Sequence, residues 1–459
     1  MVLEKPYCPA INSPKTDKHM NASASKPAIT VIGAGISGLS LAAALQKKGI
    51  RVAVFEASSN PGGNIKTVQS GAYRFDTGPN SLLVDDAVRE FLTNTGTDGL
   101  MVAPSDVSKN RYILWNGKPQ LLPTSPQALL KSDFFSWQTK WRIFSEFFRR
   151  SKSLSADETL AAFVRRRFSE EVVEKVLKPF VAGIYAGDPE QLLVKEAFPQ
   201  LTDYEHKYGS VLRGMIKSGS GRRKQSYSFK GGMQQLAKAL AANLNVTYEA
   251  RLIGVKKMGK RFQLIFESLG STETDHLVLA LPAFQAARVL AELYPEAASA
   301  FDAVYYPPLC VVHTVFAKKS VRVLPNGFGL LHPKAEGTFT AGSIWSSSIF
   351  PDCCPNDQVL FTSFVGGAMF AANAVMPQKH IISRVVEELQ RIYGIDSLPL
   401  ATYFTCWERA IPQYDSRISA AKQAAAALYA EKIYCHSNWV HGISLADCIR
   451  ASIALAERF

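Results

Sequence analysis

The run Gly33-Ala34-Gly35-Ile36-Ser37-Gly38 places three glycines at a spacing that lets a backbone turn tightly and approach a bulky anion. Its flanks say which anion. The residues Ile29-Thr30-Val31-Ile32 read as a strand, a helix is predicted from Ile36 to Lys48 with Gly49 ending it, and Arg51 to Glu56 reads as a second strand. In such a βαβ frame a pyrophosphate rests on the positive end of the helix, and Glu56, followed by Ala57, accepts hydrogen bonds from ribose hydroxyls. The chemistry is therefore cofactor chemistry. Pro61-Gly62-Gly63-Asn64 comes at once after this unit with Lys66 and Thr67 behind it, which favours FAD over a nicotinamide dinucleotide.

No second catalytic constellation is visible. The sequence shows no Ser-His-Asp, Cys-His or paired-carboxylate arrangement, no C-x-x-C zinc spacing and no predicted metal site. His206, His313 and His332 sit in no motif, and histidines of that kind are more often structural than catalytic.

The elements that must position the cofactor are scattered along 459 residues, more than one hydrophobic core usually holds. A helical section with many aromatics is predicted over roughly 109 to 205, with a capping box at Ser155 and Glu158 and a second helix start at Ser169. Lys230-Gly231-Gly232-Met233 opens a helix from Gln234 to Leu244, and 245–267 alternates as strands. His276 to Pro282 reads as a short buried strand ended by proline. Strand-like runs at 310–316, 327–331, 338–345 and 359–365 suggest an antiparallel sheet in a second domain. A last strand from Ile433 and a helix from Ala446 return to the nucleotide domain.

From Ala28 onward the chain resembles the amine-oxidase-like flavoenzyme superfamily, and within it the oxygen-dependent protoporphyrinogen oxidases of plant-like form. The similarity rests on 75–81 (Phe-Asp-Thr-Gly-Pro-Asn-Ser), 110–112 through Leu122-Pro123, 179–189, 327–329, 350–351, 364–367, Pro412-Gln413-Tyr414 and 442–448. The segment from Pro179 to Pro189 weighs most. Two departures stand out: Arg417-Ile418 where the family has Gly-His, and Ala451-Ser452 where Ser-Gly is usual.

The resemblance implies an α/β protein with a discontinuous Rossmann-type FAD-binding domain (27–105, 211–285 and 406–459), a helical membrane-associating insert (106–210) and an antiparallel-sheet substrate domain (286–405). It implies hydride transfer from a porphyrinogen to the flavin with O2 as acceptor. Arg111 is then placed opposite a propionate, and Leu331, Ile344 and Phe364 against the macrocycle. Gly78, Pro79, Asn80, Ser81, Trp407, the backbone of Leu252 and the amides of Ile443, Ser444 and Leu445 are placed around the FAD. The pyrrole proton goes to water, to a carbonyl near Gly183 or to Asn80. A coproporphyrinogen III oxidase and an amine or polyamine oxidase are the alternatives.

A net charge of +13 asks for nucleic acid, an anionic membrane surface or an acidic substrate; without a nucleic-acid motif the first is least favoured, and a peripheral membrane surface is expected. Trp137, Trp141, Phe144, Phe147 and Phe148 interleaved with Lys140, Arg142, Arg149 and Arg150 have the composition of an interfacial helix. Seven scattered cysteines suit reduced thiols in a cytoplasmic setting. Residues 1–26 read as a disordered leader with neither a secretory h-region nor an arginine, Met20 is a candidate start, and the oligomeric state, a homodimer included, stays open.

Overall fold

The computed structural model describes residues 28–123, 126–150, 157–218 and 224–459. The expected leader and Ser155 of the expected capping box lie outside them. The βαβ unit forms as its residues dictate, with strand Ile29–Ile32, helix Ile36–Lys47 and strand Val52–Phe55. These strands join Val246–Thr247, His276–Leu279 and Ile433–Cys435 in one five-stranded parallel sheet. Helices cover both faces of a parallel sheet, so its strands are mostly apolar, and all four residues of Ile29–Ile32 are buried.

A second sheet of seven strands runs in the order Ala401–Trp407, Leu309–Ala317, Gln358–Gly366, Gly342–Ile344, Gly329–Leu331, Tyr112–Trp115, Lys118–Leu121. Two expectations change here. The section from 109 is not helical at its start: Tyr112–Trp115 and Lys118–Leu121 form a hairpin that extends the sheet. Asn116 and Gly117 both take positive φ, 51° and 71°, as a tight hairpin turn requires. The sheet is also mixed rather than antiparallel, because Gly329–Leu331 pairs in parallel with the first hairpin strand.

Helices follow from Pro126. Thr159 caps helix Leu160–Arg167 by accepting from the Ala162 amide, and Ser169 caps the next turn through the Val172 amide as expected. Helix Trp137–Glu146 is inverted. Its aromatic side chains face outward, with Trp137 72% exposed, while Glu146 is completely buried. The Glu146 carboxylate accepts from the Val211 and Leu212 amides and the Ser210 hydroxyl, and it pairs with buried Arg167, which also meets Glu205. Removing one partner of such a buried pair costs roughly 3–5 kcal/mol, so this network fixes the helix to the body of the protein. Among the described residues no helix is long and apolar enough to cross a membrane.

Candidate active site

At the glycine loop the structure separates glycines that shape the turn from the one that faces the cofactor space. A Cβ at Gly38 would stand 2.0 Å from the Gly33 carbonyl oxygen, and one at Gly33 would stand 2.6 Å from that of Ala280. Gly35 meets nothing within 4 Å, which leaves open space in front of the first turn of helix Ile36–Lys47. A phosphate group fits this cradle by charge and by room. Gly62 donates to the Ala34 carbonyl at 2.8 Å and bridges Gly35, so the Pro61-Gly62-Gly63 segment lines the same loop. Ser37 and Gly38 continue into the helix, whose carbonyl at Ser37 accepts from Ser452.

Glu56 ends its strand with one carboxylate oxygen on the Ala34 amide, at 2.7 Å, and the other on the Ser58 amide and hydroxyl. Its backbone carbonyl accepts from Ala250, which sets Leu252 two residues further along the same crossing segment. Leu252 opens strand Leu252–Met258 and is buried. Ala57 is exposed beside Glu56.

Gly78 packs on the Asn64 carbonyl, with room for no side chain, and its own carbonyl accepts from the Asn80 amide group at 3.2 Å. Trp407, at the end of its strand, donates its indole N–H to the Thr77 carbonyl at 2.9 Å, and the Lys66 ammonium lies 5.4 Å from the same ring. The loop carrying Pro79, Asn80 and Ser81 is thereby tied to the seven-stranded sheet.

Register puts the expected substrate residues on one face of that sheet. Phe364 stands opposite Gly342, and Gly342 opposite Leu331, while Ile344 pairs with Thr362 and Thr362 with His313. Residues directly opposite project to the same side. Trp407 shares this side through Leu309 and Gly366. The other side carries Cys310, Val312, Phe316 and Leu330 against helix Gln378–Tyr393. Leu331, Ile344 and Phe364 are only half-buried, unlike the core side. A Cβ at Gly342, whose φ is 152°, would stand 2.8 Å from the Leu330 carbonyl oxygen, so glycine lets the backbones close up between Leu331 and Phe364.

A narrow cavity of about 20 Å³ lies where this face meets the loop, lined by Asp76, Asn80, Ser81, Phe328, Ile344 and His313 among others. Arg111 stands beside it, its guanidinium 3.7 Å from the Phe328 ring centroid and donating to the Ser108 carbonyl. It meets no carboxylate among the described residues. Helix Lys178–Tyr185 brings Gly183 against Leu331.

Three features escape sequence reasoning. His313 turns out to line the cavity, bonded through Nδ1 to Thr362, and burial pushes its pKa down to about 3. Phe328 stacks on Arg111. Gly342 packs against the Leu330 carbonyl, and a glycine inside a strand-like run is the signal that marks such a close backbone approach. Ile443, Ser444 and Leu445 stand where helix Leu445–Ala456 begins, capped by the Ser444 hydroxyl accepting from Asp447, so a positive helix end is present there.

The two departures have local explanations. The Ser452 hydroxyl bonds to the Ser37 carbonyl and to His436, filling the helix contact behind the glycine loop. Arg417 pairs with Asp415, and Ile418 enters the main core.

The flavin containing amine oxidoreductase family model matches residues 36–453. The chain is 32% identical to protoporphyrinogen oxidase 2, chloroplastic/mitochondrial, of Arabidopsis thaliana, over 88% of each protein. It is 27% identical to the coproporphyrinogen III oxidase of Bacillus subtilis, over 92% of this chain and 96% of that one. The solved structure of cyclohexylamine oxidase from Brevibacterium oxydans superposes with a TM-score of 0.67 at 18% identity, covering 95% and 99% of the two chains, and shares the fold.

Proposed function

Since the chain belongs to the flavin containing amine oxidoreductase family and, within it, to the protoporphyrinogen oxidases, we propose that it oxidises protoporphyrinogen IX to protoporphyrin IX with FAD as cofactor and O2 as acceptor. The supporting observation is the half-buried apolar face of Leu331, Ile344 and Phe364 turned toward the loop that carries Asn80. A flat apolar macrocycle with acidic tails suits such a face with one arginine at its rim.

FAD, when bound, accepts a hydride. The glycine loop and the Ile36–Lys47 helix hold its pyrophosphate, Glu56 and Leu252 border its adenosine end, and Lys66, Trp407 and the start of helix Leu445–Ala456 border the flavin end. Arg111 holds a propionate by a charge-assisted bond. Asn80 and the Gly183 carbonyl face the pyrrole N–H groups; the latter belongs to the last turn of its helix, where carbonyls lack intrahelical partners.

The protein also lies on a membrane surface in this proposal. The inverted helix supports it: an aromatic stripe of Trp137, Trp141, Phe144 and Phe148 is exposed while a glutamate is buried beneath. Charge supports it as well, because the basic residues around the stripe suit anionic lipid.

The test is a comparison of substrates on purified holoprotein. Protoporphyrinogen IX should bleach the flavin anaerobically and yield fluorescent porphyrin in air faster than coproporphyrinogen III does, and amines should be inert. Faster turnover of coproporphyrinogen would reassign the substrate, and amine turnover alone would overturn the porphyrinogen reading.

A further inference from the structure

We infer that Cys310 and Cys406 form an oxidisable thiol pair, a cross-strand disulfide site on the side of the seven-stranded sheet that faces away from the active site. The two residues are direct partners in the antiparallel pairing of Leu309–Ala317 with Ala401–Trp407. Opposed residues there have Cα atoms about 4.5–5.5 Å apart, inside the roughly 4.4–6.8 Å that a disulfide accepts. Both side chains project to one side, and their sulfurs are already 2.8 Å apart. Each sulfur also approaches the Ala374 carbonyl, at 3.3 Å for Cys310 and 3.9 Å for Cys406, so one acceptor holds both thiols in place.

Access is unequal. Cys406 is exposed on the edge strand, whereas Cys310 is fully buried behind it. Hydrogen peroxide, the product formed when oxygen takes two electrons from a reduced flavin, therefore meets Cys406 first. Attack of the Cys406 sulfur on the peroxide O–O bond gives a sulfenic acid and one water. Cys310 then attacks that sulfur, an S–S bond forms, hydroxide leaves and takes the Cys310 proton as a second water. In total two thiols and one peroxide give one disulfide and two waters.

The consequence lies on the other side of the strand. Trp407 follows Cys406 at once and projects to the active-site face, where it holds the Thr77 carbonyl. The disulfide ties the edge strand to its neighbour, one residue from that contact.

The experiment treats reduced, FAD-loaded protein with stoichiometric hydrogen peroxide, followed by proteolysis without reductant and mass spectrometry. A Cys310–Cys406 peptide pair lacking two hydrogens, split again by dithiothreitol, is expected. In Cys310→Ser the exposed thiol should instead accumulate a sulfenic acid that dimedone traps. The wild-type measurement decides without any variant. Cys406 passing to sulfinic acid with Cys310 still free, or both staying reduced while Cys353 and Cys354 oxidise, overturns the inference.

Discussion

A Cβ placed on Gly183 would stand 2.9 Å from Leu331 Cδ2, with no other contact inside 4 Å among the described residues. The missing side chain therefore sets how far Leu331 rises from the sheet face. Gly183→Ala should push Leu331 aside and lower kcat/KM for the porphyrinogen on the order of tenfold, about 1.4 kcal/mol. Thermal stability should hold, since alanine gains up to ~1 kcal/mol over glycine inside a helix. Adding Leu331→Ala should restore part of the activity. Steady-state kinetics of the single and double variants would refute this coupling if the double variant recovers nothing.

The glycine loop predicts two different failures. Gly35→Val should fold but carry no FAD, because its side chain enters open space in front of the helix. Gly38→Val should unfold the domain, because its Cβ meets the Gly33 carbonyl. Flavin absorbance and circular dichroism separate the two, and a Gly35→Val protein with full flavin content contradicts the assignment.

Arg111→Ala should raise KM, with a loss in kcat/KM of about 1.5–3 kcal/mol for the charge-assisted bond, at normal FAD content. Arg111→Lys should recover only part, since an ammonium lacks the planar fork that both bonds a carboxylate and stacks on Phe328. Loss of FAD in either variant would move Arg111 to the cofactor.

The inverted helix predicts binding to anionic vesicles that salt weakens. Trp141→Ser with Phe148→Ser should reduce it at least several-fold without touching the buried Glu146–Arg167 pair. Equal sedimentation with neutral and anionic vesicles at low salt would leave the stripe without a lipid partner.

Burial pushes the pKa values of His313 and His436 down to about 3, with the His441 charge adding to the latter, and that of His441 to about 4. Unfolded histidines titrate near ~6.5, so between the two values the unfolded chain binds more protons. Stability is thus fully present above pH ~6.5 and falls as pH drops toward the folded values. His313→Phe should flatten the slope of unfolding free energy against pH between about 5.5 and 4 by close to one proton. An unchanged slope in denaturant titrations counts against a neutral buried His313.

The βαβ unit and the strand at His276 are legible in the sequence because their signals are local: glycine spacing, a helical period, a terminal proline. The hairpin at Tyr112–Trp115 carries an equally local sign, the Asn116-Gly117 dipeptide, and is hidden by the aromatic helical run that follows it. The shared face of Leu331, Ile344 and Phe364 is different in kind. It exists only through the register of strands drawn from 112 to 407, and no window of sequence holds that information. Arg111 is legible by resemblance, whereas its stacking partner Phe328 lies more than two hundred residues away and enters only with the fold.

The parallel sheet of the cofactor domain also governs when the chain can finish folding. His276–Leu279 lies between Ile29–Ile32, almost at the start of the described chain, and Ile433–Cys435, near its end. Pairings so distant in sequence are slow to form, and domains assemble as synthesis proceeds. During translation His276–Leu279 therefore keeps one open hydrogen-bonding edge until Ile433–Cys435 has been made, an edge of the sort that recruits other nascent chains. A chain cut off before Ile433 would be a sticky intermediate rather than a smaller working protein, so chaperone demand should last until that strand emerges.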